Sequence, residues 1–138
     1  MSYGSSKGLV ESRKGSAVTM GTNYYVVPNR PSIREPVHIG KSSAGWLFCF
    51  QEQENPWWDD PPVVWHTYDQ VMAWLWEWTV ETPEYVIMNE YDEIVSFDAF
   101  KKLVDDKQSD PRCLENDGNF AYGEKNVNGY RFIEGDFW

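Results

Sequence analysis

The stretch His38-Ile39-Gly40-Lys41-Ser42-Ser43-Ala44-Gly45-Trp46 concentrates most of the residue types in this chain that could do chemistry. Gly40-Lys41-Ser42 matches the end of a phosphate-binding loop, in which backbone N–H groups and a lysine surround phosphate oxygens. The earlier glycine of that motif would fall at position 35, which is Glu35, and the residues after Ser43 read as a strand, not as the helix such a loop feeds. A nucleoside triphosphatase is therefore not expected. A simpler ligand site remains, with Lys41, Ser42 and Ser43 offering charge and hydroxyls and with His38 and Trp46 offering faces for stacking. Asn23, Tyr24 and Tyr25 complete that pocket if their strand lies beside it, and its ligand would be a nucleotide or another phosphorylated molecule. The plainer reading is an ordinary hairpin: Ser42 and Ser43 close the turn, Lys41 is solvated, and Trp46 is core.

Other catalytic signals are weak. His38 and His66 are the only histidines, and neither has a second ligand type at metal-binding spacing. Cys49 and Cys113 form no Cys-x-x-Cys pattern and read as reduced thiols. Ser42 or Ser43 beside His38 is the one trace of a nucleophile with a base, and it lacks the strained turn such a nucleophile needs. No catalytic residue, metal or cofactor is assigned, and the reading leans away from an enzyme.

A second set of residues suits recognition. Trp57, Trp58, Trp65, Trp74 and Trp76 gather in one stretch, and exposed tryptophan beside a charged rim is a frequent interface core. Three prolines, Pro56, Pro61 and Pro62, keep Trp57 and Trp58 out of helix interiors and sheet centres, so that pair is the leading partner-binding candidate. Trp74 and Trp76 follow on a helix, where core packing is the plainer explanation and interface contact the second.

The elements that must position these residues are legible in outline. Val37 to Gly40 and Trp46 to Gln51 are β-rich runs joined by five small or polar residues, which predicts a hairpin. Thr67 is a plausible N-cap, and Gln70 three residues later completes a capping-box spacing ahead of the apolar run from Val71 to Trp78. At about 100° per residue, the apolar positions of that helix cover an arc of roughly 200°. Asp69, Gln70, Ala73 and Glu77 are left for water, and Trp74 and Trp76 lie at opposite rims. Tyr85 to Met88 and Glu93 to Val95 predict a second hairpin. Ser96 caps a second helix carrying Phe97, Phe100, Leu103 and Val104 at helical spacing. Residues 108–128 read as irregular, and Asn128-Gly129 leads into a last strand, Tyr130 to Ile133. The expected fold is α+β, a single small domain with an antiparallel sheet of about five strands and two helices packed on one face.

With 138 residues the chain suits one domain, and 17% aromatic content is too much ring surface for a disordered chain. Residues 1–19 read as a flexible extension and 20–138 as the domain. Lys7, Arg13 and Lys14 against Glu11 give the first twenty residues a net +2, which leaves −12 for the rest of a chain whose total is −10. That charge argues against direct contact with nucleic acid or an anionic membrane surface. It suits a basic partner, including a nucleic-acid-binding protein whose usual ligand the carboxylates could imitate. Nothing in the sequence reads as a membrane span or an export leader, which predicts a cytoplasmic protein.

Met20-Gly21-Thr22-Asn23-Tyr24-Tyr25 and the segment from His38 to Trp46 resemble a family of small proteins from tailed phages and bacterial genomes. The resemblance runs loosely through the Trp-rich helix, Tyr91 to Ser96, and Gly129 to Gly135. Members of that family begin at the residue matching Met20, and many carry a cysteine cluster in the interval that spans Val26 to Val37 here. That interval holds no cysteine in this chain, so no zinc role follows. The resemblance implies a phage origin and brings no activity with it. Together these readings predict a non-enzymatic phage accessory protein that binds a host protein. The alternative is a small-molecule binder, and the third reading is a hydrolase or transferase at the same pocket.

Overall fold

The computed structural model describes residues 21–29, 35–55, 61–115 and 124–134. Along the chain the strands are β1 (Thr22–Pro28), β2 (Val37–Ser42), β3 (Cys49–Gln51), β4 (Gln53–Glu54) and β5 (Val64–Trp65). Helix α1 (Tyr68–Trp76) runs on into a π-helical turn, Glu77–Glu81, and is followed by β6 (Tyr85–Asn89) and β7 (Ile94–Val95). Helices α2 (Phe97–Gln108) and α3 (Pro111–Glu115) precede the last two strands, β8 (Glu124–Val127) and β9 (Tyr130–Ile133).

These strands make a seven-stranded sheet in the order β7-β6-β1-β2-β3-β9-β8, and β4 pairs with β5 in a separate ribbon. The sheet is mixed. Every neighbouring pair is antiparallel except β3 and β9, which run parallel with Phe50 opposite Phe132. The expected antiparallel sheet of about five strands with two helices is therefore corrected to an α+β domain with seven strands in a mixed sheet, a two-stranded ribbon and three helices among the described residues. The reasons are physical. Strands as short as β4 and β5 are too brief for a period-2 pattern to register. Parallel pairing of β9 with β3 joins residues about eighty positions apart, which no local pattern encodes.

Local chemistry accounts for the element ends. Thr67 accepts the Gln70 N–H at 3.2 Å, as an N-cap should. The Gln70 side chain reaches back to the His66 N–H at 2.7 Å, one residue beyond the usual capping-box partner. Ser96 caps α2 by accepting the Ala99 N–H at 3.1 Å. In the β6–β7 turn, Asn89 Oδ1 accepts the N–H groups of Tyr91 and Glu93, and Asp92 takes a left-handed φ of 63°. Asn128 and Gly129 both have positive φ, 55° and 92°, which makes them a two-residue hairpin turn between β8 and β9.

The core lies between one face of the sheet and α1 and α2. Val26, Ile39, Phe50, Ile87 and Phe132 from the strands meet Val71, Leu75, Phe100 and Val104 from the helices. Each such side chain contributes about 1.5–3 kcal/mol on burial. Aromatic contacts organise this interior: Phe50 stacks on Phe132 at 5.0 Å, and Phe48 meets Phe100 edge-on at 5.3 Å. Trp65 and Trp74 are buried against each other, and their indole N–H groups donate to the Gln51 and Pro62 carbonyls at 2.7 and 3.0 Å. No helix among the described residues is long and apolar enough to cross a membrane.

One polar tie joins the two long helices. The Tyr68 hydroxyl of α1 donates to Asp105 of α2 at 2.7 Å, and Lys101 bonds the other Asp105 oxygen at 2.8 Å. Burial alone would raise the Asp105 pKa, but the bonds from Lys101 and Tyr68 outweigh it and hold the carboxyl below its ordinary value. A depressed folded-state pKa gives stability that is present above the unfolded value and lost as pH falls through the folded one. Asp105→Asn is therefore expected to cost about 1 kcal/mol at neutral pH, after discounting for solvent screening of this partly exposed pair. Urea unfolding of both proteins should show that difference narrowing as pH drops below the carboxylate range; a difference unchanged by acid would contradict the assignment.

Candidate functional site

The β1–β2 pairing brings most of the residues of the first candidate site together. Asn23 lies opposite Lys41 and Tyr25 opposite His38, and between the Tyr24–Gly40 and Tyr25–His38 pairs Ile39 is an extra residue that makes a β-bulge. Asn23, Tyr25, His38 and Lys41 thus share the sheet face that points away from the helices, and the Tyr25 and His38 rings sit 5.1 Å apart. Tyr24 does not join them. It points into the core against Phe48 and Phe100, at 6.0 and 5.5 Å.

A polar relay crosses this face. Glu90 accepts both the backbone and side-chain N–H groups of Asn23, at 2.7 and 3.0 Å. With its amide nitrogen committed there, Asn23 presents Oδ1 to His38 Nε2 at 2.9 Å. His38 Nδ1 faces Gln51 Oε1 at 3.5 Å. Burial lowers the His38 pKa, so the ring is neutral at pH 7. Its nitrogens are directed at Asn23 and Gln51, not at Ser42 or Ser43, so the imidazole is poorly placed to activate either hydroxyl.

Gly40, Lys41 and Ser42 lie inside strand β2, where the ladder to β1 and β3 occupies the backbone. Gly40 has a packing role: a Cβ there would collide with the Cys49 carbonyl and come within 2.5 Å of the Phe48 ring. The following loop, with Gly45 at φ 81°, turns two carbonyls inward. Lys107 of α2 donates to Ser43 O at 2.8 Å and to Trp46 O at 3.0 Å, and burial lowers the pKa of its ammonium. A loop that converges carbonyl oxygens on a cation has the opposite polarity to a phosphate cradle. Trp46 is partly exposed beside that loop, and the Arg131 guanidinium lies 5.5 Å from its ring centroid.

Sequence reasoning missed two charged groupings because their members come from distant segments. Arg131 of β9 pairs with Glu124 of β8 at 2.6 Å, with both side chains largely buried. Cys49 lies beside them, and burial pushes its thiol up to about 12, which leaves it protonated and unreactive. A groove of about 480 Å³ is lined by Glu52, Gln53, Glu54, His66, Lys125 and Glu134. On its floor the Glu52 carboxylate meets Lys125 at 3.0 Å and His66 Nδ1 at 3.3 Å, while Glu54 and Glu134 take the outer contacts to His66 and Lys125. Each of its three carboxylates contacts Lys125 or His66. Among the described residues no set of three or more His, Cys, Asp or Glu side chains is arranged to hold a metal ion.

Of the candidate partner-binding tryptophans, Trp57 and Trp58 lie outside the described residues. Trp74 is core. Trp76 is 47% exposed, held edge-on to Phe97 of α2 at 5.7 Å. Ala73 and Val80 are exposed on the same side of the helix, one turn to either side of Trp76, so the solvent face of α1 carries an apolar strip. Glu77 and Glu81 border that strip. No family model, curated protein or solved structure matches the chain.

Gly40→Ala is the sharpest test of the packing described for β2. It should cost about 1–3 kcal/mol in denaturant unfolding, as overpacking does in well-filled cores. An unchanged midpoint would mean that Phe48 and β3 do not approach β2 as closely as described.

Proposed function

We propose that this protein is a non-enzymatic binding domain that docks another protein on the Trp76 face of α1. The supporting observation is the position of Trp76: a large ring half in water, with one edge packed against Phe97. A ring already held by packing loses little side-chain entropy on binding, which is what an interface anchor needs. Covering its exposed half removes on the order of 100 Å² of mostly apolar surface from water, worth about 2–3 kcal/mol. The raised pKa of Cys49, whose thiol stays protonated, favours binding over catalysis. A phosphorylated ligand at Lys41 has less support, because the adjoining loop carbonyls face Lys107.

The resemblance to phage and bacterial proteins makes a host-cell protein in the cytoplasm the first partner to seek. Trp76→Ala should abolish its recovery in quantitative affinity capture, a loss of at least about 30-fold if Trp76 is a hot spot. Far-UV circular dichroism should remain unchanged, because Trp76 lies outside the main core. Lys41→Ala should recover the partner like the wild type. Full recovery by Trp76→Ala, or loss with Lys41→Ala alone, would overturn the proposal.

A further inference from the structure

The charge around Trp76 is of one sign over an unusual length of chain. From residue 42 to residue 100 the sequence contains no lysine or arginine, against twelve aspartates and glutamates. That span supplies all of α1, its π-helical extension, β6 and β7. Lys101 and Lys102 follow at once on α2, but each is paired within its own helix, to Asp105 and Asp106 at 2.8 and 2.7 Å.

The helix end intensifies this field. The C-terminal end of a helix carries partial negative charge and is normally complemented by cations. Here the last turn of α1 has no basic residue, the π-helical turn has none, and Glu77 and Glu81 stand there instead. The π-helical turn buries none of its own residues. Its wider winding, with the Thr82 N–H reaching Glu77 O at 2.7 Å, sets Val80 and Glu81 one turn beyond Trp76 on the same side. Two carboxylates at a negative helix end raise the free energy of the isolated domain, and a cation from outside lowers it.

We infer that the partner presents an arginine to this surface, with its guanidinium over the Trp76 ring and within reach of Glu77 and Glu81. This rests on the docking face proposed above and adds the chemistry of its occupant. Guanidinium suits the place better than ammonium, because it stacks flat on an indole, is more weakly hydrated and offers several donors to two carboxylates. The chain already uses this contact elsewhere, where Arg131 lies against Trp46.

The test is titration of the ¹⁵N-labelled full-length protein with an acetylated, amidated pentapeptide Gly-Arg-Gly-Arg-Gly and with its glutamine counterpart. The readout is the Trp76 indole N–H resonance, identified by its disappearance in Trp76→Phe. The arginine peptide should shift that resonance saturably and the glutamine peptide should not. Glu77→Gln combined with Glu81→Gln should weaken the arginine peptide roughly three- to tenfold, as should a rise in salt. Equal shifts by the two peptides would overturn the arginine inference and leave an apolar docking face. So would an arginine-peptide shift that ignores the two glutamate changes. No shift at Trp76 with arginine peptide at millimolar concentration, while Trp76→Ala still abolishes partner capture, would remove the inference alone. Failure of both would remove the docking face as well.

Discussion

Helix α1 is apolar over more than half of its circumference, and such a helix is stable only if several of its sides are covered. The width of the sheet and the company of α2 follow from that requirement. Leu75 and Val71 reach the strands, Trp74 turns toward Trp65 and Tyr85, and Tyr68 stacks on Tyr130 of β9 at 4.1 Å. Cover on the remaining side is partial. Among the described residues, the ring that supports an edge of Trp76 is Phe97. The surface proposed for docking is thus the residue of a packing problem that two helices and a sheet solve incompletely.

Close backbone approach at β2 makes that cover achievable. Without a side chain at Gly40, Phe48 lies across β2 and meets Phe50 at 4.7 Å and Phe100 edge-on, which ties the hairpin to α2. Lys107 fastens the same hairpin from the far end of α2 through the two loop carbonyls. Its lowered pKa reflects the desolvation that this contact exacts. The glycine and hydroxyl residues that look like a fragment of a phosphate loop therefore have structural employment, and the lysine that organises the loop is one that sequence spacing never placed there.

What could be read from the sequence was set by distance along the chain. Both helix N-caps, at Thr67 and Ser96, and both hairpins depend on neighbours within a few residues, and their signals are plain in the residue types. The exposure of Trp76 and burial of Trp74 required knowing which rim of the arc faced α2, and periodicity gives only the two rims. The parallel β3–β9 pair, the buried Arg131–Glu124 pair and the Glu52 cluster join segments tens of residues apart, and no local rule forecasts them. Strand β8 hid in the Asn- and Gly-rich stretch because its Lys125 and Asn126 are the exposed residues of an edge, where polar side chains are tolerated. Trp57 and Trp58, the pair that residue types alone favour for an interface, fall outside the described residues, and among the described tryptophans of that stretch Trp76 is the exposed one.

A half-open aromatic ring supported by Phe97 lies at a helix C-terminus that has glutamates and no basic residue in its last turns. Either feature alone is common on protein surfaces; their combination is the basis for the docking face and the arginine-bearing partner proposed above. The most direct measurement is site-specific photo-crosslinking in cells, with a benzophenone amino acid at position 80 and, as the comparison, at position 41. The account predicts a covalent adduct from position 80 to a protein with a basic contact surface and none from position 41. An adduct formed only from position 41, or one from position 80 whose crosslinked surface is neutral or acidic, would contradict it.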